Sequence, residues 1–259
     1  MSELKRTIYD KFRGPRTCAS IVANTFNYAV GRGLDARQII AQTGLTRADL
    51  IDPRTRLPEE TVPAIWNLLD NAYPGQALSL HMASAAPFSF FGPVAQGVQY
   101  AKDLRSALQT LVKYGPVLSD QVHTELIESD AEAIFCSDHP VDAIDGGYGA
   151  EVAIALASRL LQAAIGERYS LVRVEFTHRP LGRRQVYEDF FAVPVYFQQA
   201  HNALVFRQEA LILPTQQYDA DLFHYVQKTL GSLHHGDAWV SGLKGLCYGR
   251  HPQRQSIQP

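Results

Sequence analysis

Val174-Glu175-Phe176-Thr177-His178-Arg179-Pro180, then Tyr187 to Phe191, then Pro194-Val195-Tyr196-Phe197, then Asn202-Ala203-Leu204-Val205-Phe206 is the stretch whose reading decides the fold. Val174 and Phe176 alternate with charged neighbours, as in a half-buried strand, whereas Val186/Phe190 and Tyr187/Phe191 are apolar pairs at helical spacing. Pro194 is expected to stop that helix. Val195 and Phe197 then share one face of a strand, Asn202 supplies a turn residue tolerant of positive φ, and Leu204 with Phe206 begins the return strand. Nothing in the stretch is arranged for catalysis, so it reads first as packing.

Outward from it, the period changes twice. Val122, Thr124 and Leu126 oppose Ile134 and Cys136 across a turn at Glu128 to Glu132, predicting a hairpin. Tyr148 to Ile165 reads as a long Ala-rich helix ended by Gly166, and Asp219 to Leu230 as a last helix. Upstream the pattern is helical. Val22, Phe26 and Val30 line one face, Asp35 caps a helix that Gly44 ends, and Thr46 is placed to cap another. Val62, Ile65, Trp66 and Leu69 mark a strong amphipathic helix, Leu78 and Met82 a short one, and Asp103 caps a helix that runs to Gly115-Pro116. The expected fold is therefore α+β: an N-terminal helical section, then antiparallel β-hairpins packed on helices. Its expected divisions are a tail over 1–16, one domain over 17–233 (helical 17–116, mixed 117–233) and a linker over 234–259.

Composition narrows the function classes. Of 259 residues 46% are apolar and 19% charged, which suits an ordinary globular chain. With 24 basic against 26 acidic residues there is no cationic excess to hold a phosphate backbone, which argues against direct nucleic-acid binding. The charged N-terminus has no apolar core of a secretory signal and no stretch approaches a membrane span, so no membrane partner is expected. Cys18, Cys136 and Cys247 are widely spaced and odd in number, fitting a reducing cytoplasm.

Motifs with chemical potential each have a plainer account. Asp35 to Leu50 mimics a helix-turn-helix, yet its second helix offers Arg47 against Asp49 and Asp52 before Pro53, so a structural helical hairpin is the better reading. Asp138, His139, Asp142 and Asp145 match no calcium or zinc spacing, and His234-His235 with Asp237 lacks a third ligand; no metal and no cofactor are expected. Gly146-Gly147-Tyr148-Gly149 lacks the lysine of a phosphate loop and reads as a helix entry. No nucleophile with its base is found, so no enzymatic activity is expected. A ligand pocket is expected from the aromatic cluster Phe88, Phe90, Phe91, Tyr100 and Tyr114, with Trp66, His123, Tyr148 or Glu151 as its polar handles; the alternative is a core seam between the helical and sheet sections.

Together these residues resemble the arabinose-binding type of N-terminal domain found in one branch of the AraC/XylS-type bacterial transcription regulators. The most specific part is Phe176-Thr177-His178 with Pro180, Tyr187, Phe190-Phe191, Pro194-Val195, Phe197, Asn202 and Leu204-Val205-Phe206, and the match spans most of Thr17 to Leu233. The resemblance implies a cytoplasmic sensor that binds a small-molecule effector, forms a homodimer and controls a C-terminal DNA-binding domain. Gly249-Arg250-His251-Pro252 looks like the approach to that domain, which is expected to be missing after Pro259. A rival reading is a haem or gas sensor, because Tyr169-Ser170-Leu171-Val172-Arg173 comes near the Tyr-x-Ser-x-Arg signature of haem nitric-oxide-binding domains, with the serine one place early.

Overall fold

The computed structural model describes residues 14–51 and 55–233. The expected linker at 234–259, with His234, His235 and Asp237, lies outside the described residues, as do Cys247 and most of the 1–16 tail. Among the described residues the first element is β1 (Arg16–Cys18), which pairs antiparallel with β2 (Arg56–Pro58) through Thr17 and Leu57. Between them lie α1 (Ala19–Gly31) and α2 (Ala36–Thr43). On α1 the buried stripe is Val22, Phe26 and Ala29, while Val30 is exposed. Seven residues return to within about 20° of the starting direction on a helix and eight overshoot it by about 80°.

Asp35 caps α2 by accepting the Arg37 N–H at 2.8 Å, and Gly44 ends it at φ 66°. The helix that Thr46 was placed to cap does not form. Asp49 Oδ2 accepts both the Thr46 N–H at 2.8 Å and its hydroxyl at 2.7 Å, which closes one turn, and residues 47–51 remain turn. The helix-turn-helix mimic thus lacks its second helix.

Next come α3 (Thr61–Ala72), burying Ile65, Trp66 and Leu69, then α4 (Leu78–Ala85), a 3-10 turn at Phe88–Phe91, α5 (Pro93–Gln99) and α6 (Leu104–Leu118). Asp103 caps α6 as expected, accepting the Ser106 N–H at 2.9 Å. The helix does not stop at Gly115-Pro116. Pro116 has no N–H for the Val112 carbonyl, but the Thr124 hydroxyl donates to that carbonyl at 3.0 Å, so the helix continues to Leu118 with its freed acceptor satisfied.

The second half holds β3 (His123–Glu128), β4 (Glu132–Asp138), α7 (Tyr148–Ile165), β5 (Arg173–Phe176), α8 (Arg184–Phe191), β6 (Val195–Phe197), β7 (Ala203–Arg207) and a helix α9 over 220–233. The predicted hairpin is present, but Leu126 pairs with Phe135 and Thr124 with Ser137. Ile134 and Cys136 therefore take the other face, one residue of register away from the expectation. Ser129 sets that register: its N–H donates to the Glu132 carbonyl at 2.9 Å and its hydroxyl accepts the Glu132 N–H at 3.0 Å.

The five-stranded sheet has the order β3-β4-β7-β5-β6. The return strand β7 does not pair with β6. It inserts between β4 and β5, antiparallel to both, while β5 and β6 run parallel with α8 as their crossover. Along α8 the pair Tyr187/Phe191 is buried and Val186 is exposed. Phe176, Tyr187 and Phe197 pack together, with the Tyr187 and Phe197 rings edge-on at 5.0 Å. Positive φ falls on Ala192, which ends α8 ahead of Pro194, and on Gln198; Asn202 works through its side chain instead. Its Oδ1 accepts the Thr177 N–H at 3.0 Å and its Nδ2 donates to Asp138 Oδ1 at 3.0 Å, so one buried amide joins the ends of β4 and β5 to the start of β7.

Helix α7 is the spine, packed by α4, α5 and β4. With the turn after it, α7 is long and apolar enough to cross a membrane by length and composition, but most of it is buried inside the fold. Helix α9 buries Val226 and Leu230 against α5 at Gly97, where a Cβ would come 2.8 Å from Thr110 Cγ2 and 3.3 Å from Leu230 Cδ1.

Candidate functional site

Between the helical section and the β3–β4 hairpin lies a cavity of about 160 Å³. A single water needs roughly 10–15 Å³ by this kind of measure, so the space suits a small organic molecule. Its walls are apolar: Ile21 of α1, Trp66 of α3, Phe91, Leu111 of α6, Leu156 of α7 and Phe135 of β4 all contribute.

Three element ends converge on its polar side. Glu59 sits between β2 and α3, held by its N–H to the Pro15 carbonyl at 3.2 Å; Ser119 is the C-cap of α6; His139 caps the 3-10 turn Pro140–Ala143. His139 Nδ1 accepts the Val141 N–H at 3.1 Å, so Nε2 carries the ring proton and lies 3.1 Å from Ser119 Oγ and 3.3 Å from Glu59 Oε1. The Ser119 hydroxyl donates to the same Glu59 Oε1, and the Gln121 N–H reaches it at 3.2 Å. Oε2 has no hydrogen-bond partner among the described residues, although the Glu59 side chain is only 2% exposed. Burial pushes the Glu59 carboxyl up, but the bonds from His139 and Ser119, with the Gln121 N–H, outweigh it and hold it below the ordinary value. Glu59 is accordingly an ionised group in an apolar chamber.

Asp142 also lines the cavity. Burial, then the nearby Asp145 charge, pushes its carboxyl up to about 7. Asp145 itself is pushed to about 6 by burial, opposed by the Gly147 and Gly149 N–H groups that it accepts at 2.9 Å each. The amides entering α7 are thus occupied by the chain's own carboxylate. Among the described residues no group of three or more His, Cys, Asp or Glu side chains is placed to hold a metal ion.

Of the residues expected to form the pocket, Trp66 and Phe91 line the cavity. Tyr148 stacks behind Trp66 with centroids 5.0 Å apart and planes 5° from parallel, its hydroxyl donating to Asp70 at 2.6 Å. Glu151 is fully buried elsewhere, accepting from the hydroxyls of Ser79 and Tyr187. Phe88 lies beneath the Arg159 guanidinium at 5.3 Å, Tyr100 follows α5 half-buried, and His123 is exposed at the start of β3. Tyr114 is not among the residues that line the cavity; its hydroxyl donates to the Gln227 carbonyl at 3.1 Å. The side chain of Phe90 lies outside the described residues. The sequence pattern does not single out Glu59 or Ser119, and it marks His139 only as part of an acidic loop.

The haem signature does not assemble. The Tyr169 hydroxyl is shared with Ser158 at 2.9 Å, and Arg173 spends Nε on Glu175 and both terminal nitrogens on Glu132. Each of the three guanidinium nitrogens thus already donates to a carboxylate of the chain itself.

Residues 33–215, well over half of the chain, match the family model of the arabinose-binding N-terminal domain of AraC transcription regulators. The chain belongs to this family. The arabinose-binding-type domain also has a solved structural relative, the transcriptional regulator CdpR from Pseudomonas aeruginosa, whose crystal structure superposes with a TM-score of 0.54 at 20% identity. That superposition covers 84% of this chain and 70% of the other, a likeness of fold. No curated protein matches the chain. This arabinose-binding-type domain is thus an α+β regulatory domain, and its cavity lies at the seam between the two halves of the fold.

Proposed function

We propose that the chain is the effector-sensing and dimerisation module of an AraC/XylS-type regulator, acting in the cytoplasm without catalysis and leaving DNA contact to an attached C-terminal domain. The observation that carries this reading is the apolar cavity with the ionised Glu59 on its wall. A regulator needs an element that both sites bias, and α6 is placed for that role. Leu111 and Leu118 face the cavity, while Tyr114 on the same helix bonds to Gln227 of α9, and Gln227 Nε2 donates to Thr110 at 3.1 Å. Ligand in the cavity then moves α6, α6 moves α9, and α9 leads toward the expected linker. Dimerisation is supported by the exposed apolar side chains Tyr218, Leu222, Tyr225 and Leu233, spaced along α9 and its approach.

A neutral apolar fluorophore, N-phenyl-1-naphthylamine, tests the cavity. Emission is expected to rise and shift to the blue with the wild-type chain and to be lost in Ala153→Phe, which fills the chamber. Equal enhancement in both proteins would end the reading. Sedimentation velocity tests association: a dimer is expected for the wild type and a monomer for Tyr225→Asp, whereas a monomeric wild type would remove dimerisation from the proposal.

A further inference from the structure

The chemistry of the cavity wall limits what the effector is made of. Every lining side chain is apolar or an uncharged polar group except Glu59, His139 and Asp142, and none is Lys or Arg. His139 presents its Nε2 proton to Ser119 and Glu59 Oε1, so it is already spent within the chain. Glu59 Oε1 is saturated by Ser119, Gln121 and His139, whereas Oε2 is buried and has no hydrogen-bond partner among the described residues. A buried carboxylate oxygen without a donor is costly, and a donor delivered by a ligand recovers that cost. The strongest donor for it is a charged one, because charge-assisted hydrogen bonds are roughly twice as strong as neutral ones.

We propose that the effector is a small molecule with an apolar body and a protonated amine, the ammonium donating to Glu59 Oε2 while the body fills the space between Trp66, Phe91, Leu156 and Phe135. The assignment rests on the cavity being the effector site. Asp142 on the same wall supplies a further carboxyl and no positive charge. A carboxylate or phosphate effector meets Glu59 with no lysine or arginine to offset the repulsion, and is excluded. A sugar is disfavoured as well: the many hydroxyls of a pyranose would face apolar walls without partners.

Three probes with one body separate the possibilities: 4-phenylbutylamine, 4-phenylbutanol and 4-phenylbutyrate, titrated calorimetrically into the wild-type chain, Glu59→Gln and Ala153→Phe at pH 7.5. The amine is expected to bind the wild type at least about tenfold more tightly than the alcohol. The carboxylate is expected to bind more weakly than both. Glu59→Gln should abolish the preference for amine over alcohol while retaining alcohol binding, and Ala153→Phe should weaken all three. The ranking in the wild type needs no variant, so it decides the matter even if Glu59→Gln does not fold. Carboxylate binding equal to or tighter than the amine, or an amine preference that survives Glu59→Gln, overturns the amine assignment and leaves the cavity reading standing. Failure of all three probes to bind the wild type overturns the cavity reading, and the amine assignment with it.

Discussion

Tyr187 donates its hydroxyl to Glu151 at 2.6 Å while the same oxygen accepts the N–H groups of Leu181 at 3.0 Å and Gly182 at 3.2 Å. One phenol thereby joins the spine helix α7 to the loop between β5 and α8. Tyr187→Phe leaves two backbone donors and a buried carboxyl short of a partner, and unsatisfied buried groups cost about 1–3 kcal/mol. Urea unfolding should show a loss in that range with an unchanged slope. A variant within a few tenths of a kcal/mol of the wild type would remove the role given to this oxygen.

The Glu151 carboxyl is pushed from 4.5 up to about 7, by burial first, against the bonds from Ser79 and Tyr187. Asp142 and Asp145 are raised in the same sense. Between the ordinary and the raised values the folded chain keeps a proton that the unfolded chain has released, so stability falls as pH rises through that window. For Glu151 the window runs from 4.5 to about 7 and the full effect is on the order of 3 kcal/mol. The melting temperature should therefore drop from pH 5 to pH 8, and Glu151→Gln, which removes the titration, should flatten the profile and melt higher than wild type at pH 8. Glu59 has the opposite sign: its lowered value stabilises above the ordinary one and is lost only in more acidic solution. A wild-type profile that rises from pH 5 to pH 8 would refute the assignment.

Thr124 stands in for the N–H that Pro116 lacks, capping the Val112 carbonyl from β3. Thr124→Val should cost about 1–2 kcal/mol and Thr124→Ser much less, because serine keeps the hydroxyl. Equal losses in the two variants would assign the effect to packing of the methyl group.

Gly97 lets α9 lie against α5 and α6. Gly97→Ala places a Cβ in the space of Thr110 Cγ2 and against Leu230, so α9 should detach before the rest of the fold. Hydrogen exchange is expected to accelerate over 220–233 and to stay unchanged in α7. Uniform acceleration across the chain would show instead that α9 is integral to the core.

The parts legible in sequence were those fixed by neighbours along the chain. Asp35, Gly44 and Asp103 each act within four residues, and the Ala-rich helix α7 and the β3–β4 hairpin are local patterns, so the sequence alone located them. Where partners come from afar, pattern failed. Nothing local tells β7 to enter between β4 and β5, because alternation marks a strand without naming its neighbours. The chamber suffered most. Glu59 and Glu60 are adjacent identical residues, and only the meeting of β2, the end of α6 and the turn after β4 buries the first while Glu60 stays exposed. His139 looked like one of several loop acids and bases until folding set it against a carboxylate eighty positions earlier. The aromatic cluster pointed to Tyr100 and Tyr114, yet a ring is as useful in a seam as in a pocket: Tyr114 shares the broad face of Leu111 on α6 but spends its hydroxyl on the Gln227 carbonyl of α9.

Inserting β7 between β4 and β5 also dictates when the sheet can close. During synthesis β3 and β4 can meet at once, but β4 and β5 have no direct pairing to make, and both present open hydrogen-bonding edges until residues 203–207 arrive. The pairing of Phe135 with Leu204 closes a long loop, a step that is entropically expensive and slow relative to helix formation. The fold is consequently committed late, by its last strand, and a ribosome-bound chain ending before Ala203 should carry a formed helical section beside a sheet that has not yet come together.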